Sequence, residues 1–369
     1  MSPVHSLRRV LLIPTLASLV LAGSIGPSSA TSSGSTGSTP WQTSTATHDC
    51  AASLHLLVPT QTPAYFAQHP AQLLVDQNAG QDQQGFSALL NKIAAANIHY
   101  KTSLSCAEGH NGQPIPAHTR ATGASSDVQS DNWSGYVSPQ FTENWLGAEM
   151  EWNVPLVNEP SNLTVVSSVW PGIGTGDSDD DTLVQAGTEQ DGICVLECVA
   201  HTTDYYFWLE LFPQESQEEI TNLTANPRDN VAAIVEYNPA ATQAFFQLDD
   251  FTTGQGVYAY QDVSGSPVGS GSQVEWILER TSEHNGLGDA IWPSLDDYGV
   301  EGITNAAAAS GPDWSDVTTD DANSSAVDAT PWDIYDCAGL QLDQTDAFNS
   351  STAFDLSWLN YGPTDPVGC

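Results

Sequence analysis

Positive charge is almost missing from this chain. Its 369 residues hold 45 Asp and Glu against seven Lys and Arg. The first 128 residues take five acids (Asp49, Asp76, Asp82, Glu108, Asp127) and five bases (Arg8, Arg9, Lys92, Lys101, Arg120). The rest therefore has 40 acids and two bases, Arg228 and Arg280. So few cations exclude nucleic acid as a partner. Histidine is scarce too. After Val128 only His201 and His284 occur, with no pair at the helical spacing of a zinc hydrolase. The acidic part has no Gly-x-Ser-x-Gly elbow for a Ser-His-Asp hydrolase. It also lacks paired Asp-Thr/Ser-Gly loops and a Ser-Gly-Thr-Ser nucleophile motif. No stretch after the N-terminus is apolar over the roughly 20 residues a membrane span needs, and there is no repeat or heptad.

What is present divides at about residue 128. At pH 7 the second part carries a charge of about −38, and that self-repulsion opposes a compact state. Near about pH 3 to 4 most carboxylates are protonated and the repulsion fades. We read the second part as built for acid and the first as removed before it works. Arg8-Arg9, the apolar run Val10 to Gly23 and the small residues through Ala30 form a secretory signal peptide over residues 1–30. The Ser/Thr/Gly-rich stretch Thr31 to Thr47 reads as a spacer. Gln83 to Ile98 carries apolar residues at helical spacing (Phe86, Leu89, Leu90, Ile93). Residues 31–128 thus read as a small, partly helical pro-segment, cut between about Arg120 and Asn132. Its Lys92, Lys101 and Arg120 are expected to pair with acids of the mature domain and make the segment an inhibitor. An independent binding domain is the alternative.

Six cysteines suit an oxidising, extracellular setting. If disulfides do not cross the cut, the preferred set among 15 connectivities is Cys50–Cys106, Cys194–Cys198 and Cys337–Cys369. Cysteines so paired leave no thiol nucleophile. Asp177 to Asp181 invites a calcium reading, but Thr182 and Thr188 stand where such a loop needs Gly and Glu; a solvated acidic loop fits better. Residues 129–369 suffice for one large domain. Short β-rich runs such as Leu163 to Trp170, Tyr205 to Phe212, Val231 to Tyr237 and Val274 to Leu278 predict an all-β antiparallel sandwich or barrel.

Two strands carry polar residues worth a role. In Leu183 to Gly187, alternation puts Leu183, Gln185 and Gly187 on one face. In Gln273 to Glu279, Val274, Trp276 and Leu278 point to a core, and Gln273, Glu275, Ile277 and Glu279 point the other way. A carboxyl beside an apolar residue on a sheet is partly desolvated, as acid/base work requires.

From about Asp131 onward the chain resembles the glutamic peptidases, or eqolisins. The matching stretches come in order: Ser130-Asp-Asn-Trp-Ser-Gly-Tyr-Val137, Trp152-Asn-Val-Pro155, Ser167-Ser-Val-Trp-Pro-Gly-Ile173, Val184-Gln-Ala-Gly187, Trp208-Leu-Glu-Leu-Phe-Pro213, Val274-Glu-Trp-Ile-Leu-Glu279 and Phe354-Asp-Leu-Ser-Trp358. It departs from the family pattern at Leu211, Pro171 and the long acidic segment after Ile173.

The resemblance implies a concanavalin A-like sandwich of two curved sheets, about seven strands each. It implies a secreted, monomeric acid endopeptidase acting on protein substrates with no cofactor or metal. Glu275 is then general base and acid, Gln185 stabilises the oxyanion, and Trp133, Trp170 and Glu210 contact or support the substrate. Two other readings stay open: a lectin-like glycan-binding module, and a glycoside hydrolase pairing Glu275 with Glu279 or Glu210.

Overall fold

The computed structural model describes residues 41–45, 50–51, 53–60, 87–108, 119–120 and 127–368, except 140–143, 159, 161, 176–181, 196–197, 240–241, 264–272, 285–288 and 314–316. The expected signal peptide, most of the expected spacer, residues 121–126 of the expected cut region, and the acidic run after Gly176 lie outside the described residues. Among the described residues no helix is long and apolar enough to cross a membrane.

Among the described residues, two eleven-stranded, mostly antiparallel sheets dominate. Neighbouring strands of the first are, in order, Cys106–Glu108, Glu218–Thr224, Ala200–Phe212, Leu183–Val195, Val165–Ile173, Val274–Glu279, Trp133–Val137, Thr330–Ile334, Val128–Ser130 and Thr119–Arg120. The second centres on Gln255–Asp262, Gln243–Asp250, Asn230–Asn238, Trp145–Asn153 and Val300–Ser310. The fold is the all-β sandwich expected, with more strands than about seven per sheet. Part of the excess comes from the N-terminal stretch. Trp41–Thr45, Leu54–Pro59 and His99–Tyr100 join the second sheet, and Cys106–Glu108 and Thr119–Arg120 the first.

The core lies between the sheets because both strand sets alternate. Val169, Val184, Phe207, Leu209 and Trp276 of the first sheet share one apolar cluster with Trp145, Met150, Trp152, Val235 and Phe246 of the second. Two indoles stitch the layers: Trp276 Nε1 donates to the Glu149 carbonyl (2.9 Å) and Trp152 Nε1 to Thr188 Oγ1 (3.0 Å). A buried indole N–H left unpaired would be costly, so each bond also fixes the relative position of the sheets.

The helix Ser87–Ala96 lies on the outer face of the second sheet, with Leu89, Leu90 and Ile93 buried among Leu146, Ile234, Phe245 and Tyr258. This is the apolar stripe its spacing predicts. Lys92, on the same helix, bonds Glu151 Oε1 (2.5 Å) and Asn230 Oδ1 (2.7 Å). Arg280 is fully buried, holding Asp365 Oδ2 at 3.0 Å and the Trp292 carbonyl at 3.0 Å. Disulfides join Cys50 to Cys106 and Cys194 to Cys198. Cys337 is also disulfide-bonded; Cys369 lies outside the described residues.

Candidate active site

Strand period and register together assemble the site. Val274, Trp276 and Leu278 enter the main core, while Ile277 joins a second apolar cluster on the opposite face of the same sheet. Glu275 and Glu279, two residues on either side of Ile277, share that face. Register then lines up the strands. Glu275 pairs with Gly172, Gly172 with Gln185, and Gln185 with Glu210. One transverse row, Glu275–Gly172–Gln185–Glu210, crosses four adjacent strands.

Strands lie about 4.8 Å apart, so the Glu275 and Gln185 backbones stand about 10 Å apart. Between them is a residue without a side chain. A Cβ on Gly172 would sit 2.7 Å from Glu275 Oε1, 2.8 Å from a Trp170 ring carbon and 2.9 Å from Leu183 Cδ1. Gly172 therefore supplies the space over which Glu275 and Gln185 approach. The ladder beside it skips two positions between the Gln185–Gly172 and Thr188–Val169 pairs. Pro171 lies there and has no N–H to give.

The next row carries Ile277, Trp170 and Gly187, with Trp208 opposite Gly187. A Cβ on Gly187 would stand 2.1 Å from the Val169 carbonyl oxygen and 2.7 Å from Trp170 Cβ. The glycine of Gln-Ala-Gly thus admits the Trp170 side chain. Trp133 meets Trp170 edge-on at 4.9 Å, and Trp170 meets Trp208 at 6.5 Å.

A third row brings together Trp133, Glu279, Ser168, Glu189 and Tyr206. Glu279 accepts from Trp170 Nε1 (3.0 Å) and from Asn132 Nδ2 (3.4 Å). Glu189 accepts from Thr281 Oγ1 (2.6 Å), and Trp208 Nε1 donates to Ser168 Oγ (3.1 Å). Gln185 Nε2 donates to Glu210 Oε2 (2.5 Å), while its Oε1 has no hydrogen-bond partner among the described residues.

These side chains are shut away from water. Glu275 is 1 % exposed, Gln185 and Glu210 5 %. Burial pushes the Glu279 carboxyl up to about 8, reinforced by the nearby charge of Glu189. Burial likewise raises Glu210 well above its ordinary range, with the Glu279 charge next in size, and raises Glu189 and Asp191. In acid these neighbours are neutral. A negative charge on Glu275 then meets no ionised carboxylate among them.

The structure brings all five sequence-predicted residues onto one face: Glu275, Gln185 and Glu210 in one row, Trp170 and Trp133 in the two following. It also brings Gly172, Trp208, Glu189 and Asp191 to that face, which the sequence reading did not single out. Extending the period of two from Gln185 through Gly187 reaches Glu189 and Asp191, so that signal was available; the role of Gly172 appears only with strand order. Among the described residues no cluster of three or more His, Cys, Asp or Glu could hold a metal ion.

The sequence profile of the Peptidase A4 family matches residues 131–350, so the chain belongs to that family and is a glutamic-type peptidase. Among solved structures it is similar to scytalido-glutamic peptidase with a transition-state analogue inhibitor. That match has 20 % identity, covers 62 % of this chain and 98 % of that one, and has a TM-score of 0.48. SCP-B, an eqolisin in complex with the tripeptide Ala-Ile-His, matches at 19 % identity over 62 % and 98 %, TM-score 0.46. Aspergilloglutamic peptidase from Aspergillus niger matches at 23 % over 53 % and 99 %, TM-score 0.41. No curated protein matches.

Proposed function

We propose that this glutamic peptidase is a secreted endopeptidase working in acid, with Glu275 and Gln185 as its catalytic pair. The observation that carries the reading is the row in which both flank Gly172. The Glu275 carboxylate takes a proton from a water molecule, whose oxygen attacks the scissile carbonyl carbon. An N–H of the Gln185 amide stabilises the oxyanion that forms. Glu275 then gives the proton to the departing amine as the C–N bond breaks. Glu210 accepts one amide hydrogen of Gln185 and so orients the other. Trp170 and Trp133 form the adjoining wall for a substrate side chain.

Residues 31–128 restrain the enzyme until a cut between about 120 and 132. The bond from Lys92 to Glu151, an acid of the second part, supports this. The test is digestion of denatured haemoglobin at about pH 3.5 by cut and uncut protein, with and without a chelator. Cleavage by the cut form alone, unaffected by chelator, is expected. Loss of cleavage on chelation, or an inactive cut form, would contradict the reading.

A further inference from the structure

The N-terminal stretch is built into the sandwich as an integral layer. Leu54–Pro59 extends the second sheet by pairing with Gln255–Asp262, with Leu56 opposite Ala259. That strand would otherwise form an edge with unpaired backbone groups. His99–Tyr100 runs parallel to Gln255–Gly256, and Lys101 N donates to the Gly256 carbonyl (2.9 Å). Cys106–Glu108 pairs with Glu218–Ile220 at the edge of the first sheet.

The packing goes as deep as the pairing. Leu54, Leu56 and Leu104 belong to the main core, each 1 % exposed or less. The helix Ser87–Ala96 covers the apolar outer face of the second sheet, including Ile234 and Phe245. Stripped of the helix, that face would open an apolar patch of the kind soluble proteins keep small. Beneath it, Tyr100 accepts a hydrogen bond from Gln247 Nε2 (2.7 Å) and Lys92 bonds Glu151. The Cys50–Cys106 bond closes the stretch on itself, so its two ends stay joined after a cut downstream. None of its described residues belongs to the apolar cluster around the Glu275 face.

We propose that residues 50–108 are a resident chain of the working enzyme: a cut after Glu108 leaves this fragment bound non-covalently, through its described strands, to both sheets. Activation then opens the chain without discarding its N-terminal layer.

The test does not depend on peptidase activity, so it fails or succeeds separately from the catalytic reading. A site for an unrelated sequence-specific protease is placed within residues 110–117 of the full chain and cut to completion. The product is run by size exclusion at about pH 7 and about pH 4, and each peak is weighed by mass spectrometry. Both pieces are expected in one peak at equal stoichiometry, held through a hundredfold dilution and separated only on unfolding. Separate elution of the fragment, whatever the state of the remainder, would overturn the proposal. A dimer of the remainder lacking the fragment would also overturn it, naming a second copy as the occupant of that face.

Discussion

Glu275 and Gln185 stand opposite the same glycine. Glu275 pairs with Gly172 from one neighbouring strand and Gln185 from the other, and Glu275 Oε1 lies 2.7 Å from where a Gly172 Cβ would be. Glycine is there for close approach, not for turn geometry. Gly172→Ala should push the Glu275 carboxyl aside. A misplacement of about 1 Å at a reacting group costs roughly 10²-fold in rate, and overpacking costs about 1–3 kcal/mol. We expect kcat/KM to fall at least 10²-fold while the protein still folds. A variant as active as wild type would show that Glu275 needs no such space.

Gln185→Ala removes the amide proposed to hold the oxyanion. Loss of one such donor typically lowers kcat by about 10² to 10³-fold. Steady-state kinetics on a peptide substrate should show the loss in kcat, with KM changing less. A pure rise in KM would give Gln185 a role in binding alone.

Glu279 is expected to act through Trp170. Its Oε2 receives the Trp170 indole N–H, and Trp170 reaches to the space over Gly172 beside Glu275. Burial raises its pKa to about 8, so it is neutral in acid. Glu279→Gln keeps an acceptor without charge and should retain activity within a fewfold at about pH 3.5. Glu279→Leu leaves the indole N–H unpaired and should lose at least tenfold and change the tryptophan fluorescence. Equal losses in the two variants would deny the hydrogen bond its part.

Stability should fall as pH rises. Burial, the largest cause in each case, lifts Glu279 and Glu301 to about 8 and Asp249 and Asp343 to about 7. Folded carboxyls with raised pKa bind protons that the unfolded chain releases near its ordinary value of about 4. Their stabilisation is complete below about pH 4 and is lost as pH climbs through about 7 to 8. One pH unit of displacement is worth about 1.4 kcal/mol per group, so several such groups rival the roughly 5–15 kcal/mol of a typical domain. Thermal melting between about pH 3.5 and 8 should give the highest midpoint at the acid end. A flat or rising profile would contradict this.

Much of this arrangement was legible in the chain. Alternation in Val274–Glu279 placed Trp276 in the core and Glu275 and Glu279 opposite, as the structure has them. The helical spacing of Leu89, Leu90 and Ile93 marked a buried stripe, but which surface it would cover was not readable. A period of two tells a face within one strand and nothing about its neighbour. That is why Gly172, whose role depends on strands from distant parts of the chain lying on either side, passed unnoticed. The integration of Leu54 and Leu56 into the main core was likewise hidden, because composition set the N-terminal stretch apart while burial joins it to the rest.

The central claim is tested most directly by one substitution. Wild type and Glu275→Gln, both cut near residues 120 to 132 and shown to share the same melting midpoint, are compared on denatured casein at about pH 3.5. Cleavage by wild type with none detectable from Glu275→Gln is the predicted result. Equal cleavage by the two would place the chemistry on other residues.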